Sequence, residues 1–416
     1  MKVYLEVYGC TANKSDASII KGILQSKGHR FVKETEDAEV VIILTCTVIG
    51  STEQRMLSRI KKLSRLGKTL IVSGCMAAVQ PDLVWEITSD AILLPPSKVS
   101  AVADVVGGKK LCCEYTVKTS LPRCYEGVVA HIAISEGCDF SCSYCITTKA
   151  RGKLISYSIE EVVATVHDAI RKGCREIQLT SQDTASYGSD TGESLSELIK
   201  RVSEINRCFR IRVGMMNPYT ALRQVDELLD AYENHKVYKF LHLPVQSGDN
   251  RVLQRMNRRY TVEEFVGIID LFRSRFPNVT VSTDVIVGFP GEDEEGFKET
   301  MNLLKEAEPD IVNITRFSPR PYTEAKKLTD RVPTAVAKQR SRVLTTLCKE
   351  IAEKKNKLFL GRKYNVLITE KGKESTMVGR TINYKPVVIP SQVQLGSIIP
   401  VKIVETTANY LIGKLI

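Results

Sequence analysis

The stretch Gly137-Cys138-Asp139-Phe140-Ser141-Cys142-Ser143-Tyr144-Cys145 sets three thiols in the spacing CxxxCxxC, just after an apolar run from Val128 to Ile134 that reads as a strand. Soft thiolates select iron–sulfur clusters, zinc or copper(I). Tetrahedral zinc takes four ligands and no fourth Cys or His stands nearby, so three thiolates point to a [4Fe–4S] cube with one iron left open for chemistry. A zinc knuckle completed by a distant residue such as Cys124 or Cys174 is the plainer alternative. A strand that ends in a ligand-bearing loop is also the working unit of α/β folds, whose ligands collect at the carboxyl ends of the strands.

Downstream the same unit recurs. Apolar runs end at Ser135, Ser181, Met215, Gln246, Gly288 and Ser318, and amphipathic helices lie between them. Capping boxes at Ser158…Glu161 and Thr261…Glu264 open two of these helices, and Gly173 closes one. Six βα units with right-handed crossovers predict an incomplete (β/α)6 barrel over residues 125–355. Its strand ends carry the unusual residues: Ser181-Gln182-Asp183, Asn217-Pro218, Gln246-Ser247-Gly248-Asp249 and Gly288-Phe289-Pro290-Gly291-Glu292.

Upstream, over residues 1–120, short apolar runs at Val3 to Tyr8, Val40 to Thr45 and Leu70 to Ser73 alternate with helical stretches, which predicts an open parallel α/β domain. One helix is expected to start near Asn13 and Ser15 and stop at Gly28, the next to run from near Ser51 to Gly67. Each run is followed by a cysteine: Gly9-Cys10, Thr45-Cys46 and Gly74-Cys75. Buried core cysteines are the ordinary outcome for this residue. The repeated placement at strand ends favours instead a second three-thiolate set converging in space. Residues Pro95 to Tyr125, with Cys112-Cys113-Glu114, read as a last helix and a linker.

After a long helix from Thr334 to Leu358, residues 356–416 turn to five short β segments, as in a small antiparallel barrel. From Ile351 to Ile416 eleven Lys and Arg face four Glu, so +7 of the chain's formal +11 lies at this end. Such asymmetry points to a polyanion, most often nucleic acid. Tyr364, Tyr384 and Tyr410 could stack on bases or fill the core. The 416 residues, 43% hydrophobic and 26% charged, suit two or three folded domains rather than disorder. With no signal-peptide pattern at Met1-Lys2-Val3-Tyr4 and no apolar stretch near the roughly 18 residues of a membrane span, a cytoplasmic protein with no membrane partner is expected. Twelve cysteines in a reducing compartment are then metal ligands and buried hydrophobes rather than disulfides.

The three-cysteine loop, with Tyr144 just before its last Cys, resembles that of the radical S-adenosylmethionine (SAM) enzymes, and the whole chain resembles their methylthiotransferases. The local signatures are Tyr8-Gly9-Cys10, Thr45-Cys46-Thr47, Gly74-Cys75, Ala150-Arg151-Gly152, Leu179-Thr-Ser-Gln-Asp183, Leu243-Pro-Val-Gln-Ser-Gly248, Met256-Asn257-Arg258 and Val287-Gly-Phe-Pro-Gly-Glu292. The resemblance implies a multidomain α/β chain: an amino-terminal domain with an auxiliary cluster, a partial radical-SAM barrel and a TRAM-like RNA-binding β-barrel. Tyr8-Gly9-Cys10-Thr11-Ala12-Asn13 and the basic end are similar to the archaeal-like branch that acts on N6-threonylcarbamoyladenosine (t6A) at position 37 of tRNA. Bacterial relatives carry a proline after the third cluster cysteine and an Arg-Gly-x-x-x-Ser-Arg run, where this chain has Ile146-Thr147-Thr148 and Arg151-Gly-Lys-Leu-Ile-Ser156-Tyr157. Their Arg-x-Gly-Thr-x-Ala is here Arg320-Pro321-Tyr322-Thr323-Glu324-Ala325.

By this resemblance two [4Fe–4S] clusters are expected. The one on Cys138, Cys142 and Cys145 would bind and cleave SAM, and the resulting radical would take hydrogen from C2 of the adenine. The one on Cys10, Cys46 and Cys75 would deliver a methylated sulfur. Tyr144, Ser181, Gln182, Asp183, Gln246, Ser247 and Gly288 are the candidate SAM contacts, and Arg151, Lys153, Arg316 and Arg320 are the candidates to face the substrate's carboxylate. The implied partners are the anticodon stem-loop of tRNA, a one-electron donor such as a ferredoxin or flavodoxin, and a sulfur donor. Isopentenyladenosine tRNA and ribosomal protein S12 are rival substrates, and a non-catalytic iron–sulfur RNA-binding protein is the rival class.

Overall fold

A computed structural model describes residues 1–109, 111 and 116–416, so Cys112-Cys113-Glu114 of the expected linker lies outside the described residues. Strands β1 (Lys2–Val7), β2 (Arg30–Phe31), β3 (Val40–Thr45), β4 (Thr69–Gly74) and β5 (Ile92–Leu94) form one parallel sheet in the order β2-β1-β3-β4-β5. The two edge strands are too short to leave a pattern in the sequence. Helix Thr11–Ser26 and the segment 96–106 cover one face over Val3, Val40, Ile42 and Leu44, while Gly50–Ser64 covers the other over Val41, Ile43 and Val72. A β-strand alternates its side chains, so a central strand buried on both faces reads as the continuous apolar run 40–44.

The first helix starts two residues earlier than its cap signals indicate, at Thr11 with Cys10 as its N-cap. Asn13 and Ser15 are buried inside it instead. Asn13 Nδ2 donates to the carbonyls of Tyr8 (2.7 Å) and Thr45 (2.9 Å), tying the helix start to the ends of two strands rather than capping its own backbone.

The second unit contains β6 (Val129–Ala133), a short pair β7 (Ser135–Glu136) and β8 (Ile155–Ser156), then β9 (Glu176–Thr180), β10 (Arg210–Val213), β11 (Phe240–His242), β12 (Thr280–Val287) and β13 (Ile311–Arg316). Parallel ladders join β6, β9 and β10 in one sheet and β11, β12 and β13 in another, and a parallel bridge from Ile211 to Val237 continues the curve between them. These six strands form the expected partial barrel. Both capping boxes form: Ser158 and Thr261 each accept from the backbone N–H of the Glu three residues on and receive its carboxylate in return.

The long helix Thr334–Lys357 leads to β14 (Lys363–Lys371), β15 (Met377–Arg380), β16 (Pro386–Ile389), β17 (Ile398–Thr406) and β18 (Leu411–Leu415), a closed five-stranded barrel. One of its ladders, β16 on β18, is parallel, where an all-antiparallel barrel was expected. It docks on the amino ends of the large barrel's strands. Tyr384 inserts there, its ring centroid 4.8 Å from those of both Tyr238 and Phe240, its hydroxyl donating to Glu176 (3.2 Å) and accepting from Gln178 (3.0 Å). Lys385 reaches Asp310 just before β13 (2.7 Å), and Asn383 reaches the Asn278 carbonyl before β12 (2.6 Å). Tyr384 is therefore part of an interdomain core and is not free to stack on a base, whereas Tyr410 is exposed. Among the described residues no helix is long and apolar enough to cross a membrane.

Candidate active site

The carboxyl ends of the six strands surround a cavity of about 310 Å³ into which Cys138, Cys142 and Cys145 all open. Their loop is shaped by two features. Gly137 sits at φ +72°, and a Cβ there would lie 1.8 Å from the Lys153 carbonyl, so only glycine allows the loop to pass. The segment Met256-Asn257-Arg258 clamps it from outside. The backbone N–H of Ser143 donates to the Met256 carbonyl (3.0 Å), and Asn257, at φ +56°, donates to the Ser141 carbonyl and hydroxyl (both 2.8 Å). A left-handed conformation of this kind is one that Asn accepts more readily than other side chains.

Cys10 and Cys46 follow β1 and β3, between which the sheet order reverses to leave the crevice where open α/β sheets hold ligands, and Cys75 follows the neighbouring strand β4. Gly9, at φ +96°, lets Cys46 approach: a Cβ on it would meet the Cys46 Cβ at 2.9 Å. Cys75 and Val79 pack against Ile146 and Ala150, the residues that follow the cysteine loop. Val48 and Ile49, just after Cys46, line the same cavity as Cys138, Cys142 and Cys145. The amino-terminal domain thus reaches the cavity of the second trio through Val48 and Ile49, while Cys75 packs behind the loop that carries that trio.

The donor chemistry fits iron–sulfur clusters. Each trio supplies three soft thiols, the donor type such a cluster takes, one thiolate on each of three irons. Neither Cys124 nor Cys174 lines the cavity: Cys174 is buried in the barrel core and Cys124 lies in a separate pocket beside Lys14. Burial pushes the bare thiol of Cys138 up to about 12 and that of Cys75 to about 11, the latter opposed by the Arg151 charge beside it. Metal binding overcomes such a penalty by deprotonating the ligand outright.

The expected SAM contacts divide. Tyr144, Gln182, Asp183 and Gln246 line the cavity. Gln182 Oε1 is buried with no hydrogen-bond partner, an acceptor left for a ligand. Gln246 holds a strained φ of +73°. Asp183 accepts from the backbone N–H of Ala185 (3.1 Å) and Asn217 (2.9 Å) and from the Thr220 (2.8 Å) and Ser186 hydroxyls, so its oxygens are committed to holding two strand-end loops. Ser181 and Ser247 accept from backbone N–H groups of their own turns, of Asp183 and Asp249, and Gly288 lines an adjoining cavity.

Of the four basic candidates, two are committed to interdomain ion pairs. Arg151 donates to Asp16 and Asn13 (both 2.9 Å) and stands 3.6 Å from Glu136, with Lys118 completing the group. Burial works against its charge, but Asp16, Cys75, Cys10 and Glu136 together keep it ionised. Arg320 pairs with Glu53 and donates to Thr47 (2.9 Å), next to Cys46. Lys153 is exposed and lines neither cavity. Arg316 lines both.

Reasoning from the sequence missed three contributors. Arg258 donates to Cys142 Sγ (3.3 Å), Asn217 Oδ1 (3.3 Å) and the Pro244 carbonyl (3.4 Å), which puts a fixed cation against one thiol of the cysteine loop. Its motif was visible, its direction was not. Asp284 lines the cavity floor; burial would raise its carboxyl, but His242 (3.3 Å), Asn313 (2.7 Å) and the Arg258 charge hold it below the ordinary value. Asn217 carries Arg258 and caps helix Pro218–Leu222. A larger groove of about 810 Å³, between Ala164 and Cys208, is lined by none of these residues.

Comparison with known proteins agrees with this geometry. Residues 132–304 match the radical SAM superfamily, residues 2–94 the uncharacterized protein family UPF0004, and residues 357–416 the TRAM domain. A solved radical S-adenosylmethionine methyltransferase from Kitasatospora setae shares the fold, with TM-score 0.58 and 14% identity over 78% of this chain and 76% of that one. Barrel, cysteine loop and terminal domain together define a radical SAM enzyme carrying a TRAM domain, whose cofactors are SAM and an iron–sulfur cluster. Among its relatives are the probable threonylcarbamoyladenosine tRNA methylthiotransferases of Archaeoglobus fulgidus (45% identical, covering 100% of this chain and 99% of that protein) and Pyrococcus horikoshii (42%, covering 100% of each). The threonylcarbamoyladenosine tRNA methylthiotransferase of Drosophila melanogaster is 33% identical, over 100% of this chain and 78% of that protein. The chain belongs to the threonylcarbamoyladenosine tRNA methylthiotransferase family.

Proposed function

We propose that this enzyme converts t6A at position 37 of tRNA to its 2-methylthio derivative, using two [4Fe–4S] clusters. The observation that carries the reading is the cavity lined by Cys138, Cys142 and Cys145, which Val48 and Ile49 of the amino-terminal domain also line, with Cys75 packed against Ile146 just behind the cysteine loop. When bound, SAM and the clusters supply a radical able to take hydrogen from an adenine C–H that no side-chain base could deprotonate, together with a methylated sulfur to replace it. The protein's part is to hold and exclude. Cys138, Cys142 and Cys145 would hold one cluster, and Cys10, Cys46 and Cys75 the other. Arg258 keeps positive charge against Cys142, and the Gln182 acceptor and Tyr144 face the space SAM would take. Val48 and Ile49 close the cavity from the amino-terminal domain, anchored by the Gly50 N–H donating to Ser318 (3.1 Å) and by the Arg320–Glu53 pair.

The terminal barrel sits on the face opposite the cavity, and the 24-residue helix Thr334–Lys357 runs between the two. At 1.5 Å per residue this is about 36 Å. An anticodon stem-loop touching both would run along that helix, whose exposed side presents Lys338, Arg342 and Lys349. Reducing equivalents and replacement sulfur would come from a ferredoxin- or flavodoxin-like protein and a separate sulfur donor.

The test is anaerobic reconstitution followed by mass spectrometry of nucleosides from t6A-bearing tRNA. The 2-methylthio product is expected, with about half the iron lost in a triple Cys-to-Ala variant of either set. Product only from isopentenyl-bearing tRNA or from ribosomal protein S12 refutes the substrate, and full iron in the Cys10, Cys46, Cys75 variant refutes the second cluster.

A further inference from the structure

A second cavity, of about 580 Å³, adjoins the first and shares Ile49, Thr315, Arg316, Phe317 and Ser318 with it. Its lining differs in chemistry from the first. The described residues around it include two arginines and the hydroxyls of Ser51, Thr315, Ser318, Thr334 and Ser341, and no carboxylate. Arg331 is tied to its own loop, donating to the carbonyls of Lys326 (2.8 Å) and Leu328 (3.3 Å). Ser318 already accepts from Gly50. Arg316, on the shared wall at the end of β13, is exposed and has no hydrogen-bond or ion-pair partner among the described residues. Three other arginines near the cysteines are committed: Arg151 to Asp16 and Glu136, Arg320 to Glu53, Arg258 to Cys142 and Asn217.

From this we infer that the second cavity is the pocket for the amino-acid part of the modified base, and that Arg316 is the residue that selects for it by pairing with its carboxylate. The inference rests on t6A being the substrate and adds where and how it is read. A base placed in the first cavity with its N6 substituent directed across the shared wall brings a carboxylate and a hydroxyl to a wall of guanidinium and hydroxyls. A planar guanidinium meets a carboxylate through two parallel hydrogen bonds, which lysine cannot reproduce. An isopentenyl substituent would satisfy none of these groups and would leave a desolvated cation behind.

The experiment compares two tRNAs, one carrying t6A and one carrying the analogue whose threonine carboxylate is converted to the neutral amide, with the full-length reconstituted enzyme and its R316Q and R316K variants. Wild type should favour the acid over the amide by roughly 10- to 100-fold in kcat/KM, the range of a charge-assisted hydrogen bond to an ionised group. R316Q should convert the two with nearly equal efficiency, and R316K should recover part of the preference. Because each enzyme is read as a ratio of two substrates, a general loss of activity does not imitate the result. If R316Q keeps the wild-type ratio, the assignment is overturned: equal losses on both tRNAs would place Arg316 on SAM or on a backbone phosphate, and no loss would make it a solvated surface residue. Failure of the wild type to convert t6A at all would instead remove the substrate reading on which the inference stands.

Discussion

Tyr384 gives the sharpest test of how the terminal domain is attached. It occupies a turn of the small barrel at φ +62°, yet its ring is buried in the floor of the large one between Tyr238 and Phe240, with the Arg212 and Arg380 guanidinia 5.3 and 4.9 Å from its centroid. Truncating a buried aromatic costs about 3–5 kcal/mol, so Tyr384→Ala should lose that much in urea unfolding. Tyr384→Phe removes only the hydroxyl. Glu176 keeps its bonds from Gln178 (2.6 Å) and Tyr238 (3.0 Å), so the loss should be about 1 kcal/mol. The backbone adds an internal control. A left-handed residue with a Cβ stores about 1–2 kcal/mol, so Tyr384→Gly should be more stable than Tyr384→Ala by about 1 kcal/mol, the reverse of the usual order. In the Ala variant the small barrel should also melt as a separate, earlier transition in calorimetry. A Tyr384→Ala protein within 1 kcal/mol of wild type, or a Gly variant less stable than the Ala one, would refute the interdomain plug.

The same geometry makes deletion of residues 363–416 a poor probe of RNA affinity, since it would uncover Tyr238, Phe240 and Glu176. Charge reversal of the exposed Lys363, Lys371, Lys402 and Lys414 should instead flatten the salt dependence of tRNA binding by about one slope unit per lost phosphate contact, and an unchanged slope would move the RNA off this domain. Lys385, buried on Asp310, should leave the slope unaltered but cost about 1.5–3 kcal/mol of stability when changed to Met, because the buried carboxylate loses one of its two cations and keeps only Lys355 (3.3 Å); a Met variant as stable as wild type would refute the pairing. Arg151→Met should lower iron content toward one cluster per chain, with Arg151→Lys partly restoring it, since Asp16, Glu136 and Cys75 share this cation; full iron in the Met variant would defeat that role.

Much of the fold was legible in the residues. Period-2 and 3.6 patterns, two capping boxes and the strand-end cysteines are local signals, because hydrogen bonding and side-chain direction within one element depend on near neighbours. Six barrel strands and the convergence of Cys10, Cys46 and Cys75 on one edge follow from them. The partners of polar side chains do not. Asn13 and Ser15 look like helix caps, and only the packing of that helix on two strand ends turns them inward. Arg151, Lys153, Arg316 and Arg320 are equivalent in the sequence, four basic residues near strand ends. The tertiary structure separates them, because whether a guanidinium is spent depends on carboxylates as far away in the chain as Asp16 and Glu53. Arg258 lies more than a hundred residues from Cys142, and Tyr384 more than two hundred from Glu176. Sequence by itself determined the candidate ligand thiols and the order of the elements. Which charges remain free at the site, and which face of the barrel the terminal domain covers, were decided only when distant segments met, since ion pairing and burial act through space and not along the chain.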